Sequence, residues 1–329
     1  MRDWTIYKCV LCAGALRLRK DPVEAECAQC ETRFPLRENI LDTLIQPSPE
    51  VIAELQGMAN ERGLDINNWR SVKVDKCFDA TSFAERSRLT ENLPGQYYQQ
   101  TLTNFNQAFD LIMPMLQKRH GRSLRVLEIG SERSYIFLQR FQQLGAECFA
   151  LNVFFLCKEP NCFPDWPEKT LGDMNRLPYN DGVFDVVMYS ATTHHSSDLD
   201  MTIRELSRVL KRGGTGLVLN EPLSGILKFL GGPLQQHQRD RYVHENEYPI
   251  RRYHRLFRRN GLQPQYLFSA YHDRKLCDAD IHPQLRFAKL GRVVAATWRF
   301  APVRKFASKW LAAPGCLIFG LPLNVVLRK

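Results

Sequence analysis

From Ser123 onward the hydrophobic positions fall into a repeating order of short continuous runs and spaced runs. Leu124 to Gly130 is an apolar run ending at a glycine, Ala146 to Asn152 a second, Lys169 to Asp173 a short third, Phe184 to Ala191 a fourth and Gly216 to Glu221 a fifth. Runs of this length bounded by polar residues predict buried strands. Tyr135 to Leu144, Leu199 to Lys211 and Tyr248 to Asn260 predict helices, the last two closed by Gly213-Gly214 and Gly261, and a further strand is predicted at Gln265 to Tyr271. Such alternation builds an α/β fold with an open, mostly parallel, doubly wound sheet, whose ligands sit beyond the carboxyl ends of the strands.

The first 122 residues follow other patterns. Tyr97 to Leu116 places Leu102, Phe105, Phe109, Ile112, Met113 and Leu116 three and four apart, the stripe of an amphipathic helix. Residues 47–122 therefore read as a helical linker ending in a pre-domain helix, punctuated at its start by Gln46-Pro47-Ser48-Pro49-Glu50. Residues 1–46 hold Cys9-Val10-Leu11-Cys12, fourteen intervening residues, and Cys27-Ala28-Gln29-Cys30, among short β-like pieces at Glu24 to Glu26 and Thr32 to Pro35. Two such knuckles bring four soft thiolates to the corners of a tetrahedron, the arrangement Zn²⁺ takes in closed structural sites. The expectation is a zinc ribbon, ligated by Cys9, Cys12, Cys27 and Cys30, whose metal supplies much of its folding free energy.

Composition adds limits. Hydrophobic residues make up 44% of the 329 and charged residues 24%, which excludes a disordered chain, a collagen or a long coiled coil. Net charge is +10, of which +8 comes from residues 272–329, where eleven Lys and Arg stand against three Asp. Between Leu285 and Trp310 those bases interleave with Phe287, Trp298, Phe300, Phe306 and Trp310, a pattern suited to an anionic membrane surface or to RNA. The apolar stretch Leu311 to Leu327 is interrupted by Pro314, Gly315, Gly320 and Pro322, which argues against a spanning helix. Met1 to Cys9 has no apolar run after its charges, and ten cysteines without an export signal point to a reducing cytoplasm, with peripheral contact on the inner membrane face.

The most specific signal is a series: Gly172-Asp173-Met174-Asn175-Arg176-Leu177-Pro178-Tyr179-Asn180-Asp181-Gly182-Val183-Phe184-Asp185, then His194-His195, then Arg204-Glu205-Leu206-Ser207-Arg208-Val209-Leu210-Lys211-Arg212-Gly213-Gly214. This series, after the strand Leu127-Glu128-Ile129-Gly130-Ser131, resembles the class I S-adenosylmethionine-dependent methyltransferases. The resemblance implies a Rossmann-like sheet over residues 123–329, with 272–321 as an insertion and Pro322 to Arg328 as a closing antiparallel strand. It assigns S-adenosylmethionine to Glu128, Gly130 and Ser131 on the methionine and ribose side, Asn152 at the ribose, and Asp173 with Met174 at the adenine. The N-terminal module resembles the small zinc-ribbon domain that occurs as a methyltransferase activator and fused to methyltransferases. Two positions depart from the family pattern: Gly130 continues as Ser131-Glu132-Arg133-Ser134 rather than with glycines, and Asn152 stands where an acid is usual.

Methyl transfer asks the protein for alignment and for a proton path. His194, His195 and Glu221 sit at or just past the ends of the fourth and fifth strands and are the candidate bases, against the alternative that His195 caps the next helix and Pro222 orders Glu221. Tyr242 and His244 are further substrate-side candidates, and Cys157 with Cys162 reads as a pair of loop cysteines. No GxxxxGK loop, HExxH pair or GxSxG elbow is present, so ATPase, zinc-protease and serine-hydrolase readings lack a basis. Three functions compete: a methyltransferase acting on a small-molecule, sugar or lipid-linked acceptor; an RNA methyltransferase, against which Ser190-Ala191-Thr192-Thr193 replaces an Asn-Pro-Pro-aromatic run; and a non-catalytic binding module.

Overall fold

The computed structural model describes residues 2–20, 23–37, 39–61, 96–117, 123–131, 135–155, 166–224, 246–273, 296–319 and 321–329. Cys157, Cys162, Tyr242, His244, the turn residues 132–134 and the basic positions from Arg274 to Arg292 lie outside the described residues.

The strands form one sheet. Its centre is parallel: β5 (Arg125–Ile129) lies between β6 (Glu147–Asn152) and β8 (Phe184–Ser190), with β7 (Glu168–Leu171) outside β6 and β9 (Leu210–Glu221) outside β8. Beyond β9 runs β11 (Leu323–Arg328), antiparallel, and then β10 (Gln263–Tyr266), antiparallel to β11. The reversed last strand matches the closing strand expected at Pro322 to Arg328.

Period-two burial explains why these segments choose a sheet. Leu127, Ile129, Val187, Tyr189 and Val218 point to one face, where they pack with α4 (Leu199–Val209) and α5 (Ile250–Arg259) through Ile203, Leu206, Tyr253 and Phe257. Val126, Val186, Met188, Leu217 and Leu219 point to the other, against α2 (Gln96–Gln117) and α3 (Ile136–Gln142) through Phe105, Phe109, Ile112, Leu138 and Phe141. Each such side chain taken from water contributes about 1.5 to 3 kcal/mol.

The ribbon strands β1 (Leu16–Lys20), β2 (Val23–Cys27) and β3 (Arg33–Arg37) form an antiparallel meander, and β4 (Ile40–Asp42) pairs antiparallel with β3. On its other edge β4 pairs parallel with β7, Ile40 opposite Lys169 and Asp42 opposite Leu171, so the cysteine module continues the central sheet. The N-terminal segment closes the same seam. Tyr7 and Tyr179 are fully buried with ring centroids 5.2 Å apart, the Tyr7 hydroxyl donates to Glu168, and Arg2 donates to the Lys169 carbonyl at 3.0 Å.

Three elements differ from the pattern of the chain. Helix α4 stops at Val209 and the strand starts at once with Leu210, because Lys211 reaches Asp185 at 2.7 Å and Gly213 donates to the Lys329 carbonyl at 2.9 Å, both across the sheet. Strand β10 begins and ends earlier than Gln265 to Tyr271, since Ser269 and Tyr271 are drawn away to Asn104. Leu311 to Leu327 divides between α6 (Ala301–Phe319) and β11, and no helix among the described residues is long and apolar enough to cross a membrane.

Asn104 is fully buried on α2, donates to Asn220 Oδ1 at 2.8 Å and accepts from Ser269 Oγ at 2.9 Å. Asn104→Ala strands buried partners and should cost about 2 to 4 kcal/mol, read as a lower urea midpoint with unchanged m-value; a loss under about 0.5 kcal/mol would mean the network carries no stability.

Candidate active site and metal centre

At the carboxyl ends of β5, β8 and β9 the backbone turns through the left-handed region at Gly130 (φ 74), Ala191 (φ 49) and Asn220 (φ 58). Two of the three carry a side chain there, a cost of about 1 kcal/mol each that concentrates at sites where geometry is imposed. Gly130 has a steric reason besides its φ: a Cβ would fall 2.4 Å from both Oγ1 and Cγ2 of Thr192. The glycine thus lets the turn after β8 close over the end of β5, and its nearest neighbour is a side chain of this chain.

The residues assigned to the cofactor converge here in two groups. Glu128 is buried and accepts from Ser131 Oγ at 3.1 Å, while Asn152 donates from Nδ2 to the Ser131 carbonyl at 2.9 Å and accepts at Oδ1 from the Val153 amide at 2.8 Å. An acid at position 152 lacks the donor that ties the β6 end to the turn after β5. Asp173 and Met174 follow β7. Burial raises the Asp173 carboxyl above its usual range, opposed by the Asn175 amide that donates to it at 2.8 Å. Met174 packs on the apolar cluster below. Glu128 and Asp173 thus stand at or just past the carboxyl ends of the parallel strands β5 and β7, with the β6 end that carries Asn152 between them.

Across the turn, Glu221 is fully buried at the end of β9. Its Oε1 accepts the amides of Thr192 and Thr193 at 2.8 and 2.9 Å, and its Oε2 accepts the His194 amide at 3.1 Å and meets His194 Nδ1 at 2.9 Å. Burial by itself would raise the glutamate pKa; the His194 ring and the backbone amides outweigh it and hold the group below its ordinary value. These bonds order Glu221, in place of Pro222. The helical cap assigned to His195 belongs to Asp198, whose side chain accepts the Met201 amide at 3.2 Å. His195 is half-buried, its ring 4.1 Å from that of His194. Thr193 Oγ1 lies 2.7 Å from the Tyr253 hydroxyl, which ties the turn to α5.

The four cysteines also assemble, with Sγ atoms all within 4.8 Å of one another. Cys9 to Cys30 is 3.7 Å and Cys12 to Cys27 is 3.4 Å, near the ~3.8 Å edge of a tetrahedron with ~2.3 Å Zn–S bonds. Leu11 and Gly14 amides donate to Cys9 and Cys12 at 3.4 Å, and Gln29 to Cys27 at 3.4 Å, the donors a thiolate cluster uses. The Thr32 hydroxyl brings the Cys30 thiol down to about 6, whereas burial pushes Cys9 up. Four thiolates with no buried cation of their own fit a structural Zn²⁺ and leave no position for substrate. Each knuckle ends on a left-handed residue, Ala13 (φ 64) and Glu31 (φ 57).

Residues 136–218 match the family profile described as "Methyltransferase domain". This part of the chain is a methyltransferase domain. Solved structures similar to the chain include the YcgJ protein from Bacillus subtilis, at 17% identity over 66% of this chain and 97% of that one, TM-score 0.38. Geranyl diphosphate C-methyltransferase from Streptomyces coelicolor A3(2) aligns at 12% identity over 86% and 98%, TM-score 0.42. Phosphoethanolamine N-methyltransferase 2 from Haemonchus contortus aligns at 13% identity over 76% and 59%, TM-score 0.38. Among curated proteins none matches the sequence.

Two residues beside the candidate site carried no sequence signal. Thr192 gains its place by closing over Gly130. Thr43, just after β4, donates from Oγ1 to the Leu171 carbonyl at 2.6 Å and stands 3.2 Å from where a Gly172 Cβ would be, so the ribbon's exit strand walls the Asp173 end of the site. Thr43 and Leu171 are 128 positions apart, a pairing only the β4–β7 ladder creates.

Three measurements follow from this geometry. Elemental analysis should find about one Zn²⁺ per chain, and Ala13→Gly should raise ribbon stability by about 1 kcal/mol by removing left-handed strain; a metal-free folded chain defeats the first claim, and a destabilised variant the second. Because the folded pKa of Glu221 is depressed, its contribution is complete above the ordinary value of 4.5 and is lost as pH falls through the lower folded value. Glu221→Gln should therefore cost stability at neutral pH and flatten the acid side of the denaturation-midpoint profile; a profile parallel to the parent's would refute the buried carboxylate.

Proposed function

We propose that the protein is an S-adenosylmethionine-dependent methyltransferase acting on a small-molecule, sugar or lipid-linked acceptor. The observation that carries this reading is the methyltransferase-domain match over residues 136–218, in a chain whose candidate cofactor residues converge at adjacent strand ends. When bound, S-adenosylmethionine supplies a methyl group made electrophilic by its sulfonium.

The chain's own residues hold and orient. Glu128, with its oxygen fixed by Ser131, meets the cofactor's methionine ammonium. Gly130 and Ser131 present backbone beside it, Asn152 offers its remaining acceptor capacity to ribose hydroxyls, and Asp173 with Met174 takes the adenine amino group and ring face. Opposite, an ionised Glu221 holds Nδ1 of His194 as the donor, leaving Nε2 as the proton acceptor for an acceptor hydroxyl or amine. Glu221, already accepting three amides, serves as the positioning residue for that imidazole, and the His195 ring lies tilted beside it at 4.1 Å.

Titration calorimetry of the zinc-loaded chain with S-adenosylhomocysteine tests the reading. One molecule should bind per chain, and Asp173→Ala should weaken it about tenfold, the effect of roughly one charged hydrogen bond. His194→Asn should leave that affinity within about twofold yet lower turnover by about 10² to 10⁴. Failure of the parent to bind S-adenosylhomocysteine would assign the chain to a non-catalytic binding role, and methyl transfer to an RNA oligonucleotide alone would assign it to RNA.

A further inference from the structure

We propose that the outward faces of α5 and α6 form a docking surface for an anionic lipid bilayer. Helix α5 buries Ile250, Tyr253, Leu256 and Phe257 and exposes Arg251, Arg252, Arg255, Arg258 and Arg259 on the remaining arc. Arg252 reaches Asp200 at 3.5 Å and lies over the Tyr248 ring at 4.7 Å; among the described residues no carboxylate pairs with the other four. Five arginines on ten residues of helix repel one another, and an anionic surface relieves that repulsion.

Helix α6 supplies the apolar half. It buries Ala312 and Cys316. The opposite side, at spacings of three and four, carries Val303, Phe306 and Trp310, continued by Phe300 just before the helix, at 36%, 66%, 62% and 62% exposure. Among the described side chains of this helix the large apolar ones face water and the buried ones are small, which leaves an exposed apolar stripe. Cys316 of α6 shares a buried cluster with Tyr253 and Leu256 of α5, so the two helices pack on the same part of the core. Arg299 stands exposed beside Phe300, and no Asp or Glu follows Asp280 in the sequence.

The chemistry selects the occupant. The aromatics form an exposed stripe in which the Phe306 and Trp310 rings lie 6.0 Å apart and tilted at 39°, leaving no gap between them for a base to stack, whereas such a stripe suits the headgroup and acyl boundary. A second copy would bring arginines against arginines. The same helix also adjoins the candidate catalytic turn, because Tyr248 just before α5 and Tyr253 on its buried side bond through their hydroxyls to Ser196 and Thr193, beside His194. Docking through α5 and α6 therefore holds that turn close to lipid. This proposal stands apart from methyl transfer, and vesicle binding without cofactor tests it separately.

Co-sedimentation of the full chain with phosphatidylglycerol–phosphatidylcholine vesicles should retain the protein, while phosphatidylcholine alone should not, and raised salt should release it. Arg255→Gln, Arg258→Gln and Arg259→Gln combined should weaken retention about a hundredfold, at roughly fivefold per arginine near the surface. Phe306→Ala with Trp310→Ala should weaken it at least tenfold, with circular dichroism and S-adenosylhomocysteine affinity unchanged because neither set touches the candidate site. Brominated lipid should quench the parent's tryptophan emission, and Trp310→Phe should remove that quenching. Indifference to both vesicle types, or retention unaltered in both variants, overturns the proposal, as does tight RNA retention lost in the variants without vesicle binding in the parent.

Discussion

A carboxylate at the dry end of a strand must find donors or cost several kcal/mol, and Glu221 finds four: the amides of residues 192 to 194 and the His194 ring. Meeting that demand shapes the region around it. The chain after β8 must curl back so that three successive amides face one side chain, which forces Ala191 into the left-handed region and lays Thr192 across Gly130. The same curl presents Thr193 to Tyr253 and so anchors the start of α5. A buried ion that would only burden the core of a purely structural domain here sets the position of an imidazole, the end of β5 and the entry of a helix.

A second constraint works from the opposite edge. Strand β7 is the outer strand of the parallel set, and a bare parallel edge leaves a row of unpaired amides and carbonyls. Strand β4 covers it, delivered by a meander whose geometry depends on four cysteine sulfurs lying together. The four-cysteine cluster and the segment that carries Asp173 are thereby joined by short hydrogen-bonded steps, from the knuckles through β3 and β4 to Thr43 and the Leu171 carbonyl. The four-cysteine module in this arrangement holds an edge strand in place, while the turn that joins His194 to Glu221 lies on the other side of β5, at the ends of β8 and β9.

The polar core serves a related purpose. Asn104, Asn220, Asn324 and Ser269 form a buried network beneath β8, β9 and β11, on the other side of the sheet end from His194. It fastens α2 and the segment after β10 to Asn220, the neighbour of Glu221. A network with every member bonded specifies one arrangement of these elements, which apolar contacts alone would leave free to slide.

Much of this was determined by the sequence itself. Alternating buried runs and helical stripes dictated the doubly wound sheet, because period-two and period-3.6 burial are local properties of the chain. Double CxxC spacing dictated the four-sulfur cluster, because ligand geometry constrains residues close in sequence. The motif from Gly172 to Gly214 marked the methyltransferase domain and placed Glu128, Asn152, Asp173 and His194 near strand ends. Tertiary structure alone decided what each of these residues touches. Asn152 became a clip between two strand ends, Glu221 an orienting group for the 192–194 turn, and Gly130 a seat for Thr192. Thr43 and Asn104 gave no local sign, since their roles arise from partners more than a hundred residues away. A hydrophobic pattern records that a residue prefers burial; only packing decides against what, and at Phe306 and Trp310 the fold left that preference facing outward.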